Sequence, residues 1–224
     1  MKRPIIAIDG PSGAGKGTIA RTLARTLGYR HIDTGAMYRA VGWKAVQEGV
    51  PLEDETRVSA LADRARIEVE SDVVRVDGED VTRAIRTPEI DRASTAVARL
   101  PKVREILVAR QRQLGEGGGV VVEGRDIGTV VFPNADLKIY LDASAEERAR
   151  RRMHDPAHTG GQAGQAAVAA AIDARDKSDS TRAASPLAIA PDALRVDTTG
   201  MSVDQVVAHV LSLVRARLTP IQNS

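Results

Sequence analysis

The stretch GPSGAGKGT, residues 10–18, follows the apolar run PIIAI and precedes a pattern in which Ile19, Leu23 and Leu27 recur every four residues. A strand that runs through a glycine-rich turn into a helix constrains the fold more than any other feature of this chain. Backbone N–H groups and the positive end of a helix dipole then surround one anion-sized space, and the Lys16 ammonium reaches across it. The stretch departs from the pattern G-x-x-x-x-G-K-[ST] at one position, because Gly17 stands where a hydroxyl is expected and the hydroxyl moves to Thr18. Gly10, Pro11, Ser12, Gly13, Ala14, Gly15, Lys16, Gly17 and Thr18 are therefore the expected cradle for the phosphates of a nucleotide. Gly17 leaves open the usual direct bond from hydroxyl to Mg²⁺, an ion that keeps several waters and is often held mainly by substrate phosphates, so no protein metal ligand is assigned.

Apolar runs alternate with helical periodicity, as in a parallel α/β sheet. Strands are expected at residues 4–9, 29–32, 120–123, 136–142 and 194–197, with covering helices, forming a P-loop-type core of five parallel strands. Gly28 stops the first helix. Ser144 and Glu147 form a capping box, and Val203, Val206, Val207, Val210, Leu211 and Val214 make one apolar face of a C-terminal helix. At 224 residues the chain reads as a single domain over 1–224 with two interruptions. Residues 66–82 read as three short antiparallel strands turning at Ser71-Asp72 and at Asp77-Gly78. The Gly-rich segment HDPAHTGGQAGQ lies between an arginine-dense helix and an alanine-rich one, and its stretch 159–164 is the candidate for a mobile lid.

Composition excludes several classes. There is no cysteine, which rules out disulfides and thiolate metal sites and suits a cytoplasmic protein. Asp9 breaks the first apolar run short of an export signal, and no run approaches a membrane span. A net charge of +2 and aromatics at 2% argue against a nucleic-acid partner, because few rings are available to stack bases.

Arginine is abundant, and its positions carry information. Arg39 follows the second strand, Arg125 the third, and Arg148, Arg150, Arg151 and Arg152 crowd the helix after the fourth; Arg175 and Arg182 follow the Gly-rich segment. Ligands of an open parallel sheet bind beyond the carboxyl ends of its strands, and a guanidinium fork grips phosphate by two bonds. Consecutive residues of one helix cannot all face one ligand, so surface roles compete for part of the run 150–152. Arg21, Arg25, Arg64, Arg66 and Arg217 read as solvated charges. Asp126 and Asp179 read either as site carboxylates or as plain loop carboxylates, Tyr38 as site or packing, and the four histidines as ordinary polar residues.

The chain resembles the bacterial cytidylate kinases through IAIDGPSGAGKGT, DTGAMYR, LPKVRE, VVVEGRDIGTVVFPNADLKIYLDAS, ERARRRM and RDKSDSTRAASPL, six segments in order over nearly its whole length. The resemblance implies transfer of the γ-phosphoryl group of ATP to CMP or dCMP, with Mg²⁺. It also implies a monophosphate-side insertion at about 60–100 and a lid at about 150–182. It puts the ATP phosphates on residues 10–18 with Arg151 beside them, the CMP phosphate on Arg39, Arg125 and Arg182, and makes these three and Lys16 the catalytic group. Cytosine recognition falls to Thr34, Arg104 and Asp126 near Tyr38, and the sugar to Thr95, Arg175 and Asp179. Thr34 and Thr95 stand where some relatives carry serine, and Glu123 where an aspartate is common. A monomer is expected on the same basis. Two alternatives compete: a kinase of the same superfold acting on UMP, AMP or a small metabolite, and a nucleotide-gated binding module.

Overall fold

The computed structural model describes residues 3–70, 73–155 and 164–218. β1 (Ile5–Asp9) is buried along its whole length, as an apolar run at the centre of a parallel sheet must be. It leads into α1 (Lys16–Leu27), β2 (Arg30–Asp33), α2 (Thr34–Gln47) and α3 (Glu55–Arg64). The short strands β3 (Ile67–Glu70), β4 (Val73–Val76) and β5 (Glu79–Asp80) come next, then a 3₁₀ turn (Ala84–Arg86), α4 (Pro88–Val97) and α5 (Pro101–Gly115). β6 (Val120–Glu123), a π-helical turn (Ile127–Val131), β7 (Leu137–Asp142), α6 (Ala145–Met153), α7 (Gln165–Thr181), β8 (Leu194–Asp197) and α8 (Val203–Leu218) complete the order.

Five strands form one sheet in the order β2-β6-β1-β7-β8, every pair parallel. Side chains alternate across it with period two. Ile6, Ile8 and Val121 face α1 and α8, while Ile5, Ala7, Val120 and Val122 face Val108 of α5. Leu23 of α1 is fully buried in the first of these layers, where truncation to alanine would cost about 2–5 kcal/mol. The second, antiparallel sheet β3-β4-β5 packs Val74 and Val76 onto Ala36 and Ala40 of α2. Asp77 and Gly78 both have positive φ, 53° and 88°, as the paired turn residues require. The turn expected at Ser71-Asp72 lies outside the described residues, as does the candidate lid stretch 159–164 apart from Gly164.

Three expectations need correction. The second strand is Arg30–Asp33, one residue later at each end than the apolar pattern suggests. Ser144 Oγ accepts from Glu147 N at 3.2 Å, but the Glu147 carboxylate turns to Arg150 and Arg151 instead of closing the capping box. Ion pairing with two guanidinium groups outcompetes one backbone N–H. Val203 is 49% exposed at the start of α8, so the apolar face begins at Val206.

Candidate active site

The parallel register brings the ends of β1, β2 and β6 level, with Ile8 and Asp33 both beside Glu123. The glycine-rich loop begins there. Gly10 has φ +147°, and a Cβ on it would lie 2.0 Å from the Leu141 carbonyl oxygen of β7, so a side chain is excluded where the loop leaves the sheet. Gly10 and Pro11 are buried beneath the loop, and residues 12–18 line a cleft of about 590 Å³. Lys16 is buried and donates to the Pro11 carbonyl at 2.7 Å. Burial, and then the like charge of Arg125, pushes its ammonium well below the usual lysine range, so an arriving phosphate would relieve a costly charge.

Gly17 also has a local reason. A Cβ there would approach Glu123 Oε1 to 3.2 Å. Glu123 accepts from His31 Nε2 at 2.9 Å, and both side chains are almost fully buried. Burial alone would lower the His31 pKa, but the Glu123 carboxylate outweighs it and raises it. His31 is therefore not an ordinary polar residue. It lies two residues before Asp33 on the same face of β2, diagonal to Glu123 in the register.

A smaller cavity of about 50 Å³ opens beside the cleft and is lined by Thr34, Tyr38, Thr95, Arg104, Asp126, Asp179 and Arg182. Gly35, Gly124, Arg125 and Arg175 line both cavities. Asp126 accepts from Arg104 Nη2 at 2.5 Å and from Arg182 Nη2 at 3.2 Å. The Arg104 guanidinium also lies 5.3 Å from the centre of the Tyr38 ring. Burial pushes the Tyr38 phenol up to about 12, which keeps it protonated. Thr34 Oγ1 donates to the Glu123 carbonyl at 2.6 Å, and Thr95 Oγ1 to the Asp91 carbonyl at 2.9 Å. Arg125 pairs with Asp179 at 2.9 Å. Burial would raise the Asp179 carboxyl, but Arg125, Arg175 and Arg182 hold it below its ordinary range.

The four arginines of α6 divide their work. Arg148 is buried, donating to the Ser12 carbonyl at 3.0 Å and pairing with Asp176, whose other oxygen accepts from Ser12 N at 2.8 Å. Arg151 reaches the Ala14 carbonyl at 3.2 Å and Thr198. Arg152 pairs with Asp91, and the exposed Arg150 with Glu147. Arg21, read from sequence as a solvated charge, lines the cleft. Arg39 also lines the large cleft and bonds to Asp91 at 3.1 Å.

Several residues that shape the site were not singled out in the sequence. Asp9 accepts from Ile127 N at 2.8 Å and Gly128 N at 2.7 Å, anchoring the π-helical turn that follows Arg125 and Asp126. Burial pushes its carboxyl up to about 6 despite those bonds. Asp33 accepts from Arg86 at 3.0 Å; burial would raise its carboxyl, but Arg86 and Arg39 outweigh this and hold it far below the carboxylate range. Asp91 lies on α4, whose start is marked by Thr87-Pro88 and whose inner face carries Ile90, Ala93 and Val97. A helix-start signal of that kind was available to locate it.

A model of the family described as cytidylate kinase matches residues 6–216. The chain is 50% identical to the cytidylate kinase of Solibacter usitatus, covering 98% of this chain and 95% of that protein. It is 46% identical to the bifunctional pantoate ligase/cytidylate kinase of a Synechococcus strain, covering 97% of this chain and 41% of that protein. Among solved structures, a gluconokinase from Sinorhizobium meliloti has a similar fold, with TM-score 0.53, 16% identity and coverage of 97% of this chain and 95% of that one.

Proposed function

The chain belongs to the cytidylate kinase family, and from that membership we propose how its residues divide the work of an ATP-dependent CMP kinase. The γ-phosphoryl group of ATP passes to a phosphate oxygen of CMP or dCMP; its bond to the β-phosphate oxygen breaks, and ADP and a cytidine diphosphate result. Within residues 10–18, the backbone N–H groups of residues 13–18 hold the triphosphate, with Lys16 and Arg151 on its oxygens, while Gly10 and Pro11, the latter without an N–H, shape the loop from behind. Arg39, Arg125 and Arg182 hold the acceptor phosphate. Thr34, Arg104 and Asp126 read cytosine beside Tyr38, and Thr95, Arg175 and Asp179 hold the sugar. The observation that carries this division is the shared wall: Arg125 and Arg175 line both the loop cleft and the smaller cavity. Two phosphates entering from either side would meet at the Arg125 guanidinium, with Arg175 beside it on the acceptor's sugar, and phosphoryl transfer is catalysed chiefly by such positioning and charge.

Mg²⁺ fits the cleft as an ion held mainly by ATP phosphates and water. Among the described residues no three acidic or histidine side chains gather as a metal cage, whereas Asp33 and Glu123 line the cleft and can accept hydrogen bonds from the ion's water. Bound there, the ion would neutralise phosphate charge. Residues of about 150–182, with α6 and α7 as arms, would act as the lid that excludes water during transfer. A monomer and a cytoplasmic place in pyrimidine metabolism complete the reading, on the strength of the family membership. Thermal-shift titration with CMP, dCMP, UMP and AMP, each with and without a non-hydrolysable ATP analogue, tests the reading. Joint stabilisation is expected with CMP and dCMP, and turnover should vanish in excess chelator. A chain stabilised equally by every monophosphate, or active without divalent ions, would contradict it.

A further inference from the structure

Asp91, in the first turn of α4, gathers guanidinium groups from three other helices. Its Oδ1 accepts from Arg39 Nε of α2 at 3.1 Å and from Arg175 Nη1 of α7 at 3.3 Å, and its Oδ2 accepts from Arg152 of α6. All three arginines line the large cleft, whereas Asp91 lines neither cavity. It stands behind them, so that one carboxylate backs three forks on the cleft wall. The ion pairs are largely removed from solvent, with Asp91 18% exposed and Arg39, Arg152 and Arg175 at 8%, 19% and 17%.

The cluster keeps an excess of positive charge. Burial, followed by the like charges of Arg39 and Arg125, pushes the Arg175 guanidinium down to about 9, with Asp91 opposing the shift. A guanidinium stays protonated in a protein, so an anion arriving in the cleft would meet that demand. Each free arginine side chain also carries about 2 kcal/mol of rotamer entropy. A carboxylate that orders three of them on folding removes that cost from the moment of reaction.

Resting on the kinase reading above, we propose that Asp91 is a positioning residue for phosphoryl transfer, holding Arg39, Arg152 and Arg175 as one array on the cleft wall where the phosphates and the acceptor's sugar arrive. By the same contacts it ties the acceptor-side helix α4 to α6 and α7, the two helices that flank residues 156–163. Its effect falls on the rate and not on ground-state affinity. Its negative charge lies behind cations that face phosphate, so neutralising it leaves nucleotide binding unchanged or tighter while the forks lose their common aim.

The test compares the full-length wild type with Asp91→Asn, which keeps the shape and removes the charge. The readouts are kcat with ATP and CMP, and calorimetric Kd for CMP and for a non-hydrolysable ATP analogue. The expected result is kcat lower by about 10- to 100-fold, with each Kd within about 3-fold of wild type or tighter. If Asp91→Asn does not fold, Asp91→Glu, which keeps the charge but displaces it by one methylene, carries the same test of reduced kcat at held Kd. Unchanged or raised kcat would overturn the proposal, as would a loss of kcat matched by weaker Kd, which is what a merely structural role predicts. A wild-type chain that fails to phosphorylate CMP sinks the functional reading; wild-type turnover without this split sinks the Asp91 proposal alone.

Discussion

Lys16 combines the strongest local signal with an environment that no local signal reveals. Its place in GPSGAGKGT is legible in nine residues, but its buried resting bond to the Pro11 carbonyl appears only in the fold. Replacing it with alanine should reduce turnover by about 10³- to 10⁵-fold, because a cation on the transferring phosphate is lost. Thermal stability should hold or rise, since a charge disfavoured by burial disappears. Steady-state assay with a melting curve checks both; near-normal turnover would remove the loop from the mechanism. Glu123 and His31 are 92 residues apart, and a pair so distant in sequence is set by strand register, which a single sequence does not display. The pairing of Asp91 is hidden for the same reason, as its arginine partners come from three other helices.

Among the elements, β1 and β6 were legible because strands buried on both faces are continuous apolar runs. The antiparallel insertion was legible through Asp77-Gly78. α2 was not marked by an apolar stripe, because it is buried on most of its faces between α3, α4 and the small sheet. The β2–β6 pairing carries its own pH dependence through His31 and Glu123. The His31 pKa is raised on folding, so its stabilisation is complete below the unfolded value of about 6.5 and is lost as pH rises through the folded value. His31→Gln keeps a donor and removes the titration. The wild type should therefore lose about 2–4 °C of Tm relative to this variant between pH 6 and pH 9, if the pair contributes about 1 kcal/mol. A Tm difference that stays constant across that range would contradict the assignment.

At the scale of the whole molecule, the sheet brings loop, arginines and the smaller cavity together at one edge, and on the proposed reading that cavity is where substrate choice is made. Asp126 already accepts from Arg104 and Arg182, but each carboxylate oxygen has a second lone pair and can still accept from the cytosine amino group. UMP would present a carbonyl there, acceptor to acceptor. The fold was legible from alternation, and the place of the loop from its motif. The base-reading role proposed for Asp126 comes only through family resemblance, since a loop carboxylate looks the same in sequence whatever it faces. The most direct measurement is kcat/KM for CMP and UMP in the wild type and in Asp126→Asn. The wild type should prefer CMP by at least about 100-fold, and the variant should narrow that gap mainly by losing activity on CMP. Equal use of CMP and UMP by the wild type, or full discrimination by the variant, would contradict the account.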